Sequence, residues 1–450
     1  MRDGRIGGAA ALFVALSLRA GILPPSVASA EERMTLAEAV ARAASQAASA
    51  RVAHLESLRS DQDVAKERAS LLPDLSLRAF ASNRTYDVAP LGFSVPGPDG
   101  GEASDLIGPV HETDARLAAE QALLDLSSLR KVRAAREAAD ASRAEAADGA
   151  AAAAYRAAVA YVSAARARAS LDAQQEDLKL AAQLLDLAKQ RLQAGTAASI
   201  DVIRAQTREA EARGLVLIAQ NDSDRAAIDL ARALGLPSDS TLALADTLSD
   251  DLASTVPPDE AAAIAFALDH REDLRAARAR AQAAETRRAA ASAERFPRLV
   301  VGADWGWDGT SPSDAVATRE VAVRLSLPLW DGFERESRIT QQSLIREEME
   351  IRARDLELEI AAQIRSAWMT VVSGRQQEDI ARERLSLADA ELSQARERFA
   401  NGVANNIEVL DAQSSLNRSR QALIDARAGV AAASLALARA AGVAQAVRWS

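Results

Sequence analysis

Residues 191–206 read RLQAGTAASIDVIRAQ, and residues 398–413 read RFANGVANNIEVLDAQ. The second stretch begins 207 residues after the first, and the similarity continues as far as Gly235 in one copy and Gly442 in the other. A repeat of this length indicates that one structural unit of about half the chain has been duplicated. Each feature predicted for one half can therefore be compared with its counterpart in the other half.

The composition predicts long helices packed in a thin layer rather than a compact globule. Of the 450 residues, 3% are aromatic and 26% are charged, and alanine is abundant, so few bulky side chains exist to fill a thick core. The net charge of −10 argues against binding to nucleic acid. Because the sequence has no cysteine, we expect no disulfide, no thiolate metal site, no cysteine nucleophile and no lipid attached to an N-terminal cysteine.

Residues 1–30 have the pattern of a secretory signal peptide. Arg2 and Arg5 precede an apolar stretch over 6–18, and the small residues of 28–30 form a cleavage site. No stretch of ~20 apolar residues follows, so we expect an exported chain that has no transmembrane helix. Because the sequence has no cysteine, we also expect that the chain is not lipidated.

Proline and glycine divide the remaining chain into long helical tracts. Thr35 and Glu38 have the spacing of a capping box, and Asp125 and Asp331 stand where the two longest tracts begin. A tract of about 67 residues spans ~100 Å at the helical rise, and the two shorter tracts of each half together reach nearly the same length. The predicted helices cover about 36–70, 127–193 and 200–235 in the first half, and 260–294, 333–401 and 406–441 in the second.

Four short segments alternate between apolar and polar residues instead. They cover about 74–82, 113–122, 298–307 and 318–327, and each has roughly the length of a tilted strand that crosses a bilayer. We expect the two segments of each half to pair with each other. Trp305 and Trp307 either form an aromatic belt at the membrane interface or pack between strands and helices. The residues that we expect to face the membrane are Val321, Val323, Leu325, Leu327, Trp305 and Trp307.

The predicted domain organisation follows from these elements. After the signal peptide come a first structural repeat over 31–240, a linker over 241–258, a second repeat over 259–445 and a short tail over 446–450. Four strands cannot close a barrel in lipid, where open edges are not tolerated and the smallest bacterial barrels have about eight strands. We therefore predict a mainly α fold with a small β part, in which three chains form a β-barrel of about twelve strands that continues into a tube of long helical hairpins.

These residues resemble the TolC family of outer-membrane efflux and secretion channels. The resemblance rests on the signal peptide, the duplicated helix–strand–strand–helix–helix unit, the two Arg-x-x-x-Gly turns and the Leu-Pro-Leu-Trp-Asp corner over 327–331. It implies a homotrimer with an outer-membrane β-barrel and a periplasmic α-barrel. It also implies docking to a periplasmic adaptor and to an inner-membrane transporter of the RND or ABC class. The channel would serve as the exit duct of a tripartite efflux pump or of a type I secretion system.

The resemblance also assigns residues to the periplasmic tip, where hairpins of the adaptor are expected to bind. Arg191, Gly195, Arg398 and Gly402 fall on the tip motif of the family. For each residue type a local explanation exists as well, because a cation near a helix C-terminus complements the helix dipole and a glycine ends a helix. These local roles and the docking role both remain open.

A second candidate site lies before the second turn. Asp389 and Glu391 stand where the first repeat has Ala182 and Leu184. Tripled by symmetry, these carboxylates would form an acidic ring at a periplasmic constriction. The alternative is a solvated face of the helix.

The sequence gives no sign of an enzyme. His54, His111 and His270 have no ligand spacing, and we find no phosphate-binding loop, no catalytic triad and no metal-binding cluster. We therefore predict no catalytic residue, no metal and no cofactor. The rival hypothesis is a periplasmic coiled-coil adaptor or scaffold without a pore, which accounts for the helices and the signal peptide but not for four alternating segments of bilayer length.

Overall fold

The structure is a computed structural model that describes residues 32–92, 105–248, 252–253, 255–401, 403 and 406–449. Helices dominate it, and two of them are very long. The helices are α1 (Leu36–Gln46), α2 (Ala48–Ala69), α3 (Leu126–Gln193), α4 (Ser199–Ala233), α5 (Glu260–His270), α6 (Glu272–Ala293), α7 (Glu334–Ala400) and α8 (Asn406–Ala440). The predicted signal peptide lies outside the described residues.

The strands form one sheet of four long strands and two pairs of short ones. The strands are β1 (Glu32–Met34), β2 (Asp74–Asp87), β3 (Leu106–Leu124), β4 (Leu242–Leu244), β5 (Leu252–Ala253), β6 (Arg298–Gly309), β7 (Val316–Ser326) and β8 (Arg448–Trp449). The long strands are antiparallel, in the order β2-β3-β6-β7. The two strands of each repeat pair with each other as predicted, and β3 and β6 join the repeats.

The helices continue the sheet as a layer that is one helix thick. Next to the strands, α2 packs on α3, α3 on α6 and α6 on α7, which repeats the order of the strands. At the far end, α4 packs on α3, α3 on α8 and α8 on α7. The two long helices α3 and α7 run through both parts, whereas α2 with α4, and α6 with α8, each complete one column in two pieces. The mainly α fold and the open sheet agree with the predicted fold class for one chain of a trimer.

Two helices that the sequence predicts as continuous are broken in the structure. The tract over 36–70 is interrupted at Ala47, and the tract over 260–294 at Arg271, each of which has extended backbone. At both breaks the end of an incoming helix abuts the corner. A Cβ on Gly235 would lie 3.3 Å from the carbonyl oxygen of Gln46, and one on Gly442 would lie 2.9 Å from that of His270. The corners therefore receive the ends of α4 and α8.

The corner at Arg271 is held by a buried ion pair. The guanidinium of Arg271 lies 2.5 Å from the carboxylate of Asp273 and donates a hydrogen bond to the carbonyl oxygen of Ala440 at 3.3 Å. Burial alone would raise the pKa of the Asp273 carboxyl, but hydrogen bonds and charge from Arg271 hold that pKa below its ordinary value. The first repeat has Ala47 at this corner and achieves the same bend without charge.

The largest described core lies midway along the layer, where the short strands pack on α3. Tyr161 is fully buried there, and its hydroxyl donates a hydrogen bond of 2.8 Å to the carbonyl oxygen of Met34. Its ring lies 5.4 Å from that of Trp449, centroid to centroid. The short strands β4 and β5 fall in the segment predicted as a linker, and β8 falls in the predicted tail. Both segments therefore contribute to the core, because β4 pairs with β1 and β5 pairs with β8.

Helix α8 is the described helix that is long and apolar enough to cross a membrane by length and composition. Its apolar side chains instead pack within the helical layer. Val409 and Leu416 are buried with Leu392 and Phe399 of α7, and the two residues on each helix are seven positions apart, as in a coiled-coil contact. We therefore interpret α8 as a core helix of the layer.

Candidate functional site

The two faces of the four-stranded sheet differ in polarity. Because residues paired across antiparallel strands project from the same face, the register assigns each side chain to one face. Val321, Val323 and Leu325 share a face with Trp305 and Trp307. All five side chains are largely exposed in the single chain. Leu327 lies just beyond the end of β7 and is half exposed.

The opposite face carries charge. Arg116 lies 2.6 Å from the carboxylate of Asp114 and 2.7 Å from that of Asp304, so one guanidinium ties β3 to β6. Arg324 lies on this face, paired with Val300. A sheet with one apolar and one charged face has the polarity of a membrane barrel wall, apolar toward lipid and polar toward a water-filled lumen.

Trp305 and Trp307 lie against each other on the apolar face. Their ring centroids are 4.3 Å apart in an edge-to-face arrangement. Across the strands, Trp305 pairs with Leu117 and Arg319, so its direct cross-strand neighbours belong to the sheet. This placement favours the aromatic belt over packing between strands and helices.

The first tip turn has the geometry of a Schellman motif. Gly195 has a φ of 71°, in the left-handed region that glycine adopts without strain. The amide of Thr196 donates to the carbonyl oxygen of Arg191 at 2.9 Å, and the amide of Gly195 donates to that of Leu192 at 3.0 Å. In the second turn the amide of Val403 donates to the carbonyl oxygen of Arg398 at 2.9 Å, which is the equivalent bond. Gly402 itself lies outside the described residues.

The two tip arginines make different contacts. The guanidinium carbon of Arg191 lies 4.0 Å from the ring centroid of Phe399, and Arg191 donates a hydrogen bond of 3.0 Å to the carbonyl oxygen of Ala400. Arg191 thus ties the first hairpin to the second. Arg398 instead lies 3.3 Å from the carboxylate of Glu408, within its own hairpin. Both arginines are partly or fully exposed, so each retains donors for a partner.

A row of polar contacts joins the two hairpins along α3 and α8. Sequence analysis missed this row, because its residues are ordinary polar types at helical spacing. The pairs, from the strands toward the tip, are Arg166 with Asp425 (2.7 Å), Ser170 with Gln421 (2.8 Å), Gln174 with Asn417 (3.1 Å) and Asp177 with Gln413 (3.1 Å).

The row ends in a buried charge. Asp177 is 2% exposed, and its carboxylate also lies 2.7 Å from the guanidinium of Arg208 on α4. Asp177 therefore connects three helices. A charge buried to this extent is tolerated only when it is paired and hydrogen-bonded, so the contact fixes how the hairpins align.

The acidic pair near the second tip is fully accessible in the single chain. Asp389 and Glu391 lie on exposed positions of α7, and neither forms an ion pair with a described side chain. Among the described residues, no group of three or more His, Cys, Asp or Glu could hold a metal ion.

The corner between β7 and α7 combines a rigid backbone with exposed apolar side chains. Arg335 is buried, and its guanidinium lies 3.0 Å from the carboxylate of Asp331. Gly332 and Phe333 both have a φ of 67°. Leu329 and Trp330, of the Leu-Pro-Leu-Trp-Asp stretch, are 86% and 79% exposed.

Residues 39–236 and 263–443 match the model of the outer membrane efflux protein family, so the match covers both repeats. No curated protein is significantly similar in sequence.

The fold is similar to those of solved outer-membrane proteins. The CmeC outer membrane channel of Campylobacter jejuni is 15% identical, with a TM-score of 0.76 over 91% of this chain and 86% of that one. The MtrE outer membrane channel of Neisseria gonorrhoeae is 18% identical, with a TM-score of 0.75 over 91% and 89%. The outer membrane protein VceC of Vibrio cholerae is 20% identical, with a TM-score of 0.74 over 90% and 96%.

Proposed function

The chain belongs to the outer membrane efflux protein family, and we propose that three copies of it form the exit duct of a tripartite efflux pump or of a type I secretion system. Membership confirms the predicted outer-membrane channel over the poreless scaffold, and it confirms that the protein is not an enzyme. The channels of this family function as trimers in tripartite pumps. The main support for the proposal is that the sheet has one apolar face and two unpaired edges.

The unpaired edges require neighbours. Strands β2 and β7 each have only one partner, and they run antiparallel to each other, so β7 of one chain can pair with β2 of the next. Unpaired backbone groups are not tolerated in lipid, and three chains of four strands close the ring.

The helical layer has matching apolar edges. Helix α7 exposes Leu344, Ile351 and Leu358, which are seven residues apart and all more than half exposed. On the other edge, α2 exposes Leu55 and Leu58 at the level of this row, and α4 exposes Leu217 and Ile218 nearer the tip. A sevenfold apolar row without a partner is typical of a coiled-coil contact. We infer that α7 of one chain packs against α2 and α4 of the next.

The tip is the proposed docking site for the adaptor. Both turns lie at the end of the layer that is farthest from the sheet, and both arginines are accessible. One hairpin of a periplasmic adaptor would contact Arg191 and Gly195 at the first tip turn. Another would contact Arg398 and Gly402 at the second tip turn. The adaptor would couple the channel to an inner-membrane transporter of the RND or ABC class. Asp389 and Glu391, about two to two and a half helical turns before Arg398, would supply the acidic ring at the constriction.

The orientation of the sheet can be tested with two substitutions on neighbouring residues of β7. Val323→Arg places a charge on the face assigned to lipid, where a charge costs about 2–4 kcal/mol at the middle of the bilayer and less toward either interface. Arg324→Val changes the opposite face and removes a charge from the lumen. We expect the first variant to lose most of its trimer in the outer membrane and the second to retain it.

The measurement is the mass of detergent-extracted protein by light scattering or mass photometry, together with heat-modifiable migration on a gel. A stable wild-type monomer would contradict the trimer. Equal assembly of the two variants would contradict the assignment of the faces while leaving the trimer intact.

A further inference from the structure

The apolar face of the sheet carries few charged residues. Asp87 lies at the far end of β2, beyond the irregularity between Arg84 and Tyr86, and over the rest of the paired positions on this face Arg319 is the one Asp, Glu, Lys or Arg among the described residues. The other residues of the face are Leu75, Leu77, Ala79, Ala81, Asn83, His111, Thr113, Ala115, Leu117, Ala119, Gln121, Leu299, Val301, Ala303, Trp305, Trp307, Gly309, Ala317, Val321, Val323 and Leu325.

Arg319 lies toward the outer end of the face. The helical layer begins where β7 ends, so Leu325 marks the periplasmic end of the strand. Arg319 is six residues farther along the strand, which is ~20 Å at the rise of a strand. Because strands of a membrane barrel tilt by about 35–45°, this length corresponds to roughly 15 Å of height in an apolar band about 25 Å tall, and the long side chain of Arg319 extends from there toward the headgroups of the outer leaflet.

Aromatic rings stand beside this cation. Arg319 pairs directly with Trp305, and Trp307 lies against Trp305 at 4.3 Å between centroids. Side chains of directly paired residues are close neighbours on a sheet. The site therefore combines a guanidinium with two exposed indole rings.

No carboxylate neutralises Arg319. Its side chain is exposed, and no described residue forms an ion pair with it. On the opposite face, in contrast, Arg116 contacts both Asp114 and Asp304. In a closed trimer the neighbour of β7 is β2, which carries no charged residue on the apolar face from Leu75 to Asn83. Among the described residues, Arg319 therefore has no counter-charge beside it on this face, and its guanidinium is available to an anion from the membrane.

We propose that Arg319, with Trp305 and Trp307, binds a phosphate group of an outer-leaflet glycolipid. The guanidinium donates charge-assisted hydrogen bonds to the phosphate oxygens, and the indole rings cover the adjoining sugar and acyl chains. Each trimer would hold one such lipid per chain. The inference rests on the proposed orientation of the sheet in the membrane.

The test is binding of lipid A to the detergent-solubilised full-length trimer, measured by native mass spectrometry. The variant is Arg319→Gln, and the matched control is Arg324→Gln, which removes the same charge from the other face of the same strand. Because a hydrogen-bonded charge is lost, we expect Arg319→Gln to weaken binding by about tenfold or more and Arg324→Gln to leave it unchanged. Dephosphorylated lipid A should bind the wild-type trimer as weakly as intact lipid A binds Arg319→Gln.

Other results overturn the proposal. Equal affinity of wild type and Arg319→Gln removes Arg319 from lipid binding, and displacement of lipid A by equimolar inorganic phosphate shows a general anion site instead. Trp305→Leu provides a second variant and should weaken binding less than Arg319→Gln does. A trimer that assembles normally but binds no lipid contradicts this inference alone, whereas failure of the wild type to form a trimer contradicts the proposed function.

Discussion

Gln206 and Gln413 occupy the same position in the two copies of the repeated motif, but the first side chain is exposed and the second is completely buried. The alanine that precedes each of them, Ala205 or Ala412, is buried in both copies, because it packs inside its own hairpin. The difference arises from the neighbours of the two helices. Helix α8 lies between α3 and α7, whereas α4 lies at the edge of the layer.

The comparison shows that the two repeats share the structure of the hairpin, but that the two hairpins have different neighbours. Leu217 on α4 is 69% exposed, whereas its counterpart Ile424 on α8 is half-buried. An apolar residue retained on an edge helix of an exported protein indicates that another chain covers it. Helix α4 of the first repeat is thus suited to contact with a neighbouring chain, and its counterpart α8 to contact within its own chain.

The largest effect should follow from breaking the buried contact between the repeats. Asp177→Ala leaves Arg208 without its buried partner, and Gln413 loses the carboxylate acceptor but keeps the backbone carbonyl of residue 177. Removing one member of a buried ion pair costs about 3–5 kcal/mol. We expect a clear fall in the temperature at which the extracted trimer dissociates, measured by a heating series on a gel.

Asp186→Ala is the control on the same helix, because the side chain of Asp186 is 71% exposed and makes only a local contact with Lys189. Its effect should be at most about 0.5 kcal/mol. A similar loss in both variants would show that the buried contact does not hold the hairpins together.

A graded effect is expected from three glycines with left-handed backbone. Gly442, Gly235 and Gly195 have φ values of 81°, 73° and 71°. A Cβ on Gly442 would lie 2.9 Å from a carbonyl oxygen, one on Gly235 would lie 3.3 Å from one, and one on Gly195 would meet nothing within 4 Å. Substitution by alanine should therefore cost about 3, 2 and 1 kcal/mol respectively, because only the backbone strain is common to all three.

The same dissociation temperatures provide the measurement. The order Gly442, Gly235, Gly195 distinguishes corners that receive a helix end from a free tip. An equal fall in dissociation temperature at all three positions would mean that backbone strain alone determines the loss of stability. The corners at Ala47 and Arg271 would then not be closely packed.

The motif glutamines allow the most direct test of the comparison. Gln413→Ala removes two hydrogen bonds to Asp177 and leaves space in a fully buried site, which costs about 2 kcal/mol. Gln206→Ala should cost almost nothing in the single chain. A marked effect of Gln206→Ala on trimer dissociation would indicate instead that Gln206 is buried by a neighbouring chain.

The sequence predicted those features that a local pattern defines. The turn at Gly195, the alternation of Val321, Val323 and Leu325, and the pairing of strands within each repeat all follow from short-range periodicity. The breaks at Ala47 and Arg271 could not be predicted, because one extended residue between two helices needs neither glycine nor proline. The burial of Gln413 could not be predicted either, because Gln206 occupies the same position of the repeated motif but is exposed.

The smallest expected change concerns the two tip arginines, and it bears on docking. Arg191 stacks on Phe399 and bonds to Ala400 of the other hairpin, whereas Arg398 contacts Glu408 of its own. Arg191→Gln keeps a hydrogen-bond donor but loses the cation–π contact, which is worth about 0.5–1 kcal/mol at an exposed site. Such a loss does not unfold the trimer, but it releases the tie between the hairpins.

We therefore expect Arg191→Gln to widen the distribution of distances between the hairpin tips and Arg398→Gln to leave it unchanged. Because the chain has no native cysteine, spin labels on cysteines placed at Gln193 and Glu397 report this distance cleanly, in trimers where labelled chains are diluted with unlabelled ones. Cross-linking to the adaptor, measured in parallel, should decrease in both variants if both turns dock. Unchanged cross-linking in both would remove the arginines from the docking site, and equal broadening in both would show that the two tips are alike after all.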